Sequence, residues 1–181
     1  PDAFKSKNYT HTAFCKQKRV MDIFDEELLN FWRCLNKQDV RYIMVGGVAT
    51  NFNGYQRSTD DIDVWLEDTS DNREKFRQAF KQYSGTDFSM IPRMQIVPGW
   101  TNFNLNNGYR LDLMVSMKGL ESLTFDECLH SSSKAVIDDL TVPFLHINHL
   151  IANKKAVNRP KDQLDVIYLE KIIKLKEEAS D

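Results

Sequence analysis

A short apolar run, Tyr42-Ile43-Met44-Val45, stops at Gly46-Gly47, and a second apolar run opens on two acids, Asp61-Ile62-Asp63-Val64-Trp65-Leu66. Thirteen residues, Val48 to Asp60, separate them. The first run reads as a buried strand ending in a tight turn, because glycine accepts backbone conformations that a Cβ forbids. The second alternates as a strand does, so Asp61 and Asp63 emerge on one face while Ile62 and Val64 point to the core. Val48–Phe52 reads as one or two helical turns, closed by Asn53-Gly54.

Leu111-Asp112-Leu113-Met114-Val115 repeats the oddity of a carboxylate set in an apolar strand. An ionised acid there is costly unless something compensates it. Three such acids on two neighbouring strands are explained by a divalent cation between them. Mg²⁺ is a hard ion that takes carboxylate, phosphate and water oxygens, with Mn²⁺ as the alternative. The competing explanation is that the acids solubilise exposed strand ends.

The Gly46-Gly47 turn lies before a helical turn, where backbone N–H groups can approach phosphate oxygens. Arg57, Ser58 and Thr59 in the spacer suit phosphate contact, although Arg57 could equally be an exposed loop charge.

Elsewhere the apolar spacing predicts a helix from Met21 to about Gln38, another over Asn72–Tyr83 and a strand over Tyr109–Met117. A short helix near Phe125–His130 follows, then strands near Lys134–Ile137 and Leu140–Leu145. Two closing helices cover Ile147–Asn158 and Pro160–Lys176, with Pro160 suited to a first turn. Residues 88–108 read as extended segments and a hairpin at Asn106-Asn107-Gly108. The order implies an α/β or α+β sheet flanked by helices, with a C-terminal helical pair. It divides into a basic arm over 1–20, a core over 21–146 and closing helices over 147–181.

A net charge of −2 argues against a chain that mainly coats nucleic acid. Three cysteines without a CxxC pair read as free thiols, Cys34 as a buried one. No apolar run reaches the length of a membrane span and no signal peptide is evident, so the expected location is cytoplasmic. The four histidines lack metal spacing. Neither a Walker lysine motif nor a Gly-x-Ser-x-Gly nucleophile is present.

Val45-Gly46-Gly47-Val48-Ala49, followed by Gly54, Arg57, Thr59 and Asp61-Ile62-Asp63-Val64, resembles the signature of the DNA polymerase β-like nucleotidyltransferase superfamily. The wording is closest to its small prokaryotic branch of AbiEii-type and minimal nucleotidyltransferases. Leu150-Ile151-Ala152-Asn153-Lys154 and Arg159-Pro160-Lys161-Asp162-Gln163-Leu164-Asp165 extend the resemblance, which covers roughly residues 40 to 170.

The resemblance implies a nucleotidyltransferase-type mixed sheet. It makes Asp61 and Asp63 metal ligands, and Asp112 a ligand or the base for an acceptor hydroxyl. Gly46 and Gly47 would hold a nucleoside triphosphate, Lys154 would reach a phosphate or the base, and Lys161, Asp162 and Asp165 would line the cleft. From the residues alone, Asp162 and Asp165 equally suit an ion-pair network pinning two helices.

The activity implied is transfer of a nucleoside monophosphate to a hydroxyl or phosphate of a small molecule, an RNA end or a protein side chain, releasing pyrophosphate. The alternative is a toxin–antitoxin or phage-defence module that keeps the fold and acts through a protein partner.

Overall fold

In the computed structural model, which describes Asp22 and residues 24–179, the elements run α1 (Glu26–Lys37), β1 (Tyr42–Met44), α2 (Gly46–Phe52), β2 (Asp61–Leu66), α3 (Ser70–Ser84) and β3 (Asn102–Asn104). They continue with β4 (Arg110–Met114), α4 (Phe125–His130), β5 (Ser133–Ile137), β6 (Leu140–Phe144), α5 (Ile147–Val157) and α6 (Pro160–Glu178). The arm expected over 1–20 lies outside the described residues.

Six strands form one mixed sheet in the order β3-β4-β2-β1-β6-β5. β1 runs antiparallel to β2 and parallel to β6, and β2 runs parallel to β4. The fold is therefore the mixed, helix-flanked sheet that the sequence implies.

Local chemistry sets the helix ends. Asp25 caps α1 through Oδ1, which accepts from Glu27 N at 3.0 Å and Leu28 N at 3.2 Å. Phe31, Trp32 and Leu35 fill its core stripe. α3 packs against α1 through edge-to-face contacts of Phe31 with Phe80 and Tyr83. A reciprocal Thr124–Glu127 capping box starts α4. α5 closes on Asn158 in the left-handed region, after which Pro160 opens α6.

One expectation needs correcting. Gly46-Gly47 is not a turn before the helix but the first two residues of α2.

Residues 88–101 hold turns rather than strands, and β3 is only three residues long. Met94 and Phe103 pack against the core, while Trp100 is exposed. Among the described residues, no helix is long and apolar enough to cross a membrane.

Topology gathers the functional candidates at one edge of the sheet. Because β1 and β2 are antiparallel, Met44 stands beside Val64, and Val45 N donates to the Asp63 carbonyl at 3.0 Å. The chain leaving β1 thus passes alongside the acids that open β2. β6 ends at the same edge, where Leu145 N donates to the Met44 carbonyl at 2.9 Å, and so α5 starts there too.

Candidate functional site

Parallel pairing of β2 with β4 puts Asp61 beside Arg110 and Asp63 beside Asp112. Side chains of laterally paired residues share a face, so three acids and one arginine form a checkerboard. Ile62, Val64, Leu111 and Leu113 on the opposite face are fully buried.

Arg110 Nη2 donates to Asp112 Oδ2 at 2.6 Å, and its Nε lies 3.6 Å from Asp61 Oδ1. The Asp112 hydrogen bond and the Asp61 charge hold the guanidinium above its ordinary pKa. Asp112 Oδ1 is buried and, among the described residues, has no hydrogen-bond partner.

Burial pushes the Asp63 carboxyl above the ordinary aspartate range, and the charges of Asp112 and Asp61 push it further; the Gly47 N–H and Lys161 act in the opposite direction. Among the described residues, no three His, Cys, Asp or Glu side chains converge as a ready-made metal cage. Arg110 stands among these acids as the local cation.

Both glycines are sterically required. Gly46 has φ +58°, and a Cβ added there would lie 2.6 Å from Asp63 Cγ. A Cβ on Gly47 would lie 2.7 Å from Thr59 Cβ. The Thr59 hydroxyl donates to the Asp61 carbonyl at 3.2 Å, which ties the loop to the start of β2. Asn51 holds the same loop, giving its Nδ2–H to the Arg57 carbonyl and taking the Arg57 N–H, both at 3.0 Å.

Across from the acids stands a basic wall built on buried counter-charges. Lys154 Nζ donates to Asp165 Oδ2 at 2.6 Å and lies 3.7 Å from Asp162 Oδ1. Arg57 forks onto Asp165 at 2.8 and 3.0 Å. Arg159 Nε donates to Asp162 Oδ2 at 2.7 Å. Burial raises the Asp162 carboxyl, but the hydrogen bonds and charge of Arg159, helped by Lys154, outweigh it and leave the group below its ordinary value.

The two walls enclose a cleft of about 520 Å³, within the range of small-molecule sites. Gly46, Gly47, Arg57, Thr59, Asp61, Asp63, Asp112, Lys154 and Lys161 all line it.

Three expected residues do not. Ser58 is exposed outside the cleft, its carbonyl accepting from Arg57 Nη1 at 3.0 Å. Asp162 and Asp165 are buried behind the basic wall, where they pair with its lysine and arginines. Arg159 is part of that wall and lines the cleft.

Arg110, Lys118 and Asn153 also line the cleft and were not anticipated. Arg110 was readable, because it lies two residues before Asp112 and strand parity puts both on one face.

No family model matches the chain, and no curated protein matches its sequence. Solved structures do match its shape. A lincosamide antibiotic adenylyltransferase, LnuA, with lincomycin bound, superposes with a TM-score of 0.55 at 14% identity, covering 85% of this chain and 99% of that one. TM1012 from Thermotoga maritima, described as a nucleotidyltransferase, gives a TM-score of 0.50 at 13% identity over 91% and 97%. The fold is the nucleotidyltransferase fold. The AbiEii-like wording of the motif remains a likeness of sequence.

Proposed function

We propose that this chain transfers a nucleoside monophosphate from a nucleoside triphosphate to the hydroxyl of a small molecule, with release of pyrophosphate. One observation carries the reading: the Gly46-Gly47 start of α2 lies in a cleft between three carboxylates and a wall of lysine and arginine. A metal-bound triphosphate needs such a division, with acids for the cation and bases for the phosphates.

The donor set fits a divalent ion. It is all carboxylate oxygen, burial and the neighbouring acids raise Asp63, and it includes the buried Asp112 Oδ1, which has no hydrogen-bond partner among the described residues. Asp61, Asp63 and Asp112 would hold Mg²⁺ or Mn²⁺, and the bound ion would neutralise charge on the triphosphate and leaving pyrophosphate.

The chain's own groups do the positioning. Gly46 and Gly47 line the cleft where the triphosphate would lie, their missing side chains making room for Asp63 and Thr59, and Lys161 faces the cleft as an exposed cation. Asp162 and Asp165 hold Arg57, Lys154 and Arg159 in place. Asp112, through a carboxylate oxygen that the ion leaves free, would take the proton of the acceptor hydroxyl. The acceptor oxygen then bonds to the α-phosphorus as the bond to the bridging α–β oxygen breaks, and pyrophosphate leaves. The small-molecule acceptor is supported by the likeness to a lincosamide adenylyltransferase.

A crystal of the protein with Mg²⁺ and a non-hydrolysable triphosphate tests the reading. Phosphate density between Gly46-Gly47 and Lys161, with a metal on Asp61 and Asp63, is expected. Nucleotide bound elsewhere would overturn it.

A further inference from the structure

The checkerboard of Asp61, Arg110, Asp63 and Asp112 carries a consequence for metal binding. Arg110 engages two of the three acids assigned to the metal, touching Asp112 Oδ2 and approaching Asp61 Oδ1. Its side chain is 46% exposed, whereas Lys154 on the facing wall is 3% exposed. Arg110 can therefore leave its partners without repacking the core, and Lys154 cannot.

A guanidinium and a divalent ion compete for the same carboxylate lone pairs. At contact distance their charges also repel by an amount that solvent only partly screens. Lys161 also acts on Asp63 and faces the cleft, yet among the described residues no ion pair ties it to an acid. Arg57, Lys154 and Arg159 are held by Asp162 and Asp165.

We propose that Arg110 is a resident counter-cation which a divalent metal displaces from Asp112 and Asp61, so that the arginine pairs and the bound metal exclude one another. This rests on the metal site assigned above. Arg110 is thereby a positioning residue: it steadies the carboxylates in the metal-free protein and sets how tightly the ion is held.

The test is Mn²⁺ binding without nucleotide, followed by electron paramagnetic resonance, for the wild type, Arg110→Gln and Arg110→Lys. Removing the competing charge should tighten Mn²⁺ binding about five- to tenfold in Arg110→Gln. Arg110→Lys keeps a cation but loses the fork, so about a twofold gain is expected. In EDTA Arg110→Gln should melt below the wild type, and saturating Mg²⁺ should close that gap.

Wild-type binding with equal or weaker binding by both variants would overturn the role of Arg110 and leave the metal site standing. If Arg110→Gln fails to fold, unchanged binding by Arg110→Lys overturns it alone. No Mn²⁺ on any of the three proteins would overturn the metal site and this inference together.

Discussion

Gly46 and Asp63 occupy a contact in which only one side chain fits: the Asp63 carboxyl fills the space where a Cβ on Gly46 would stand. The antiparallel pairing of β1 with β2 produces this contact, since it brings the end of one strand against the start of the other. The glycine therefore serves the acid as well as the backbone. Gly46→Ala should add left-handed backbone strain to a clash with Asp63, costing roughly 2–4 kcal/mol in urea unfolding and removing transfer activity. Gly47→Ala should displace Thr59 and cost roughly 1–3 kcal/mol by the same measurement.

Burial and two neighbouring acids act against the charge of Asp63 in the metal-free protein. Asp63→Asn should abolish transfer while raising the melting temperature in EDTA by a few degrees, on the order of 1 kcal/mol. A lower melting temperature than wild type would contradict that assignment.

Lys154 and Asp165 form a buried pair, 3% and 1% exposed. Each member keeps one other partner, Arg57 for Asp165 and Asp162 for Lys154, so Lys154→Ala or Asp165→Asn should cost about 2–3 kcal/mol in chemical denaturation, the loss of one charged hydrogen bond. Lys155 reaches Glu170 at 2.6 Å on the surface, and Lys155→Ala should stay within about 1 kcal/mol of wild type.

Asp162 gives a pH signature. Its folded pKa is depressed, so at neutral pH it stabilises the fold through Arg159, and that stability is lost as pH falls through the folded value. The gap between wild type and Asp162→Asn should be about 2 kcal/mol at pH 7. It should shrink progressively below about pH 4, where an unfolded aspartate takes its proton. A gap that widens on acidification would contradict the assignment.

Strand parity and the glycine spacing made the acidic wall legible in the sequence, since both depend on neighbours a few residues apart. The second strand came out with its bounds intact, Asp61–Leu66, because two acids alternate with apolar residues at its start and the polar Glu67-Asp68 follows its end. The basic wall was harder. Whether Arg57 meets solvent, phosphate or Asp165 depends on a partner 108 residues away, which no local pattern reports. Asp162 and Asp165 were equally ambiguous, because their helical spacing suits both a cleft and a buried network. Arg110 was within reach of the parity argument, but its partner across the sheet depends on the parallel register of β4.

In the proposed reaction this cleft moves the α-phosphoryl group with its nucleoside and discards the other two phosphates. Wild-type protein with Mg²⁺ and a panel of small-molecule acceptors, lincosamides included, should be supplied in parallel with triphosphates labelled at the α- or the γ-phosphate. The α-label should appear on the acceptor and the γ-label in pyrophosphate, and Asp63→Ala should show neither. Label passing to the acceptor from the γ-position, or α-label transfer undiminished in Asp63→Ala, would contradict it.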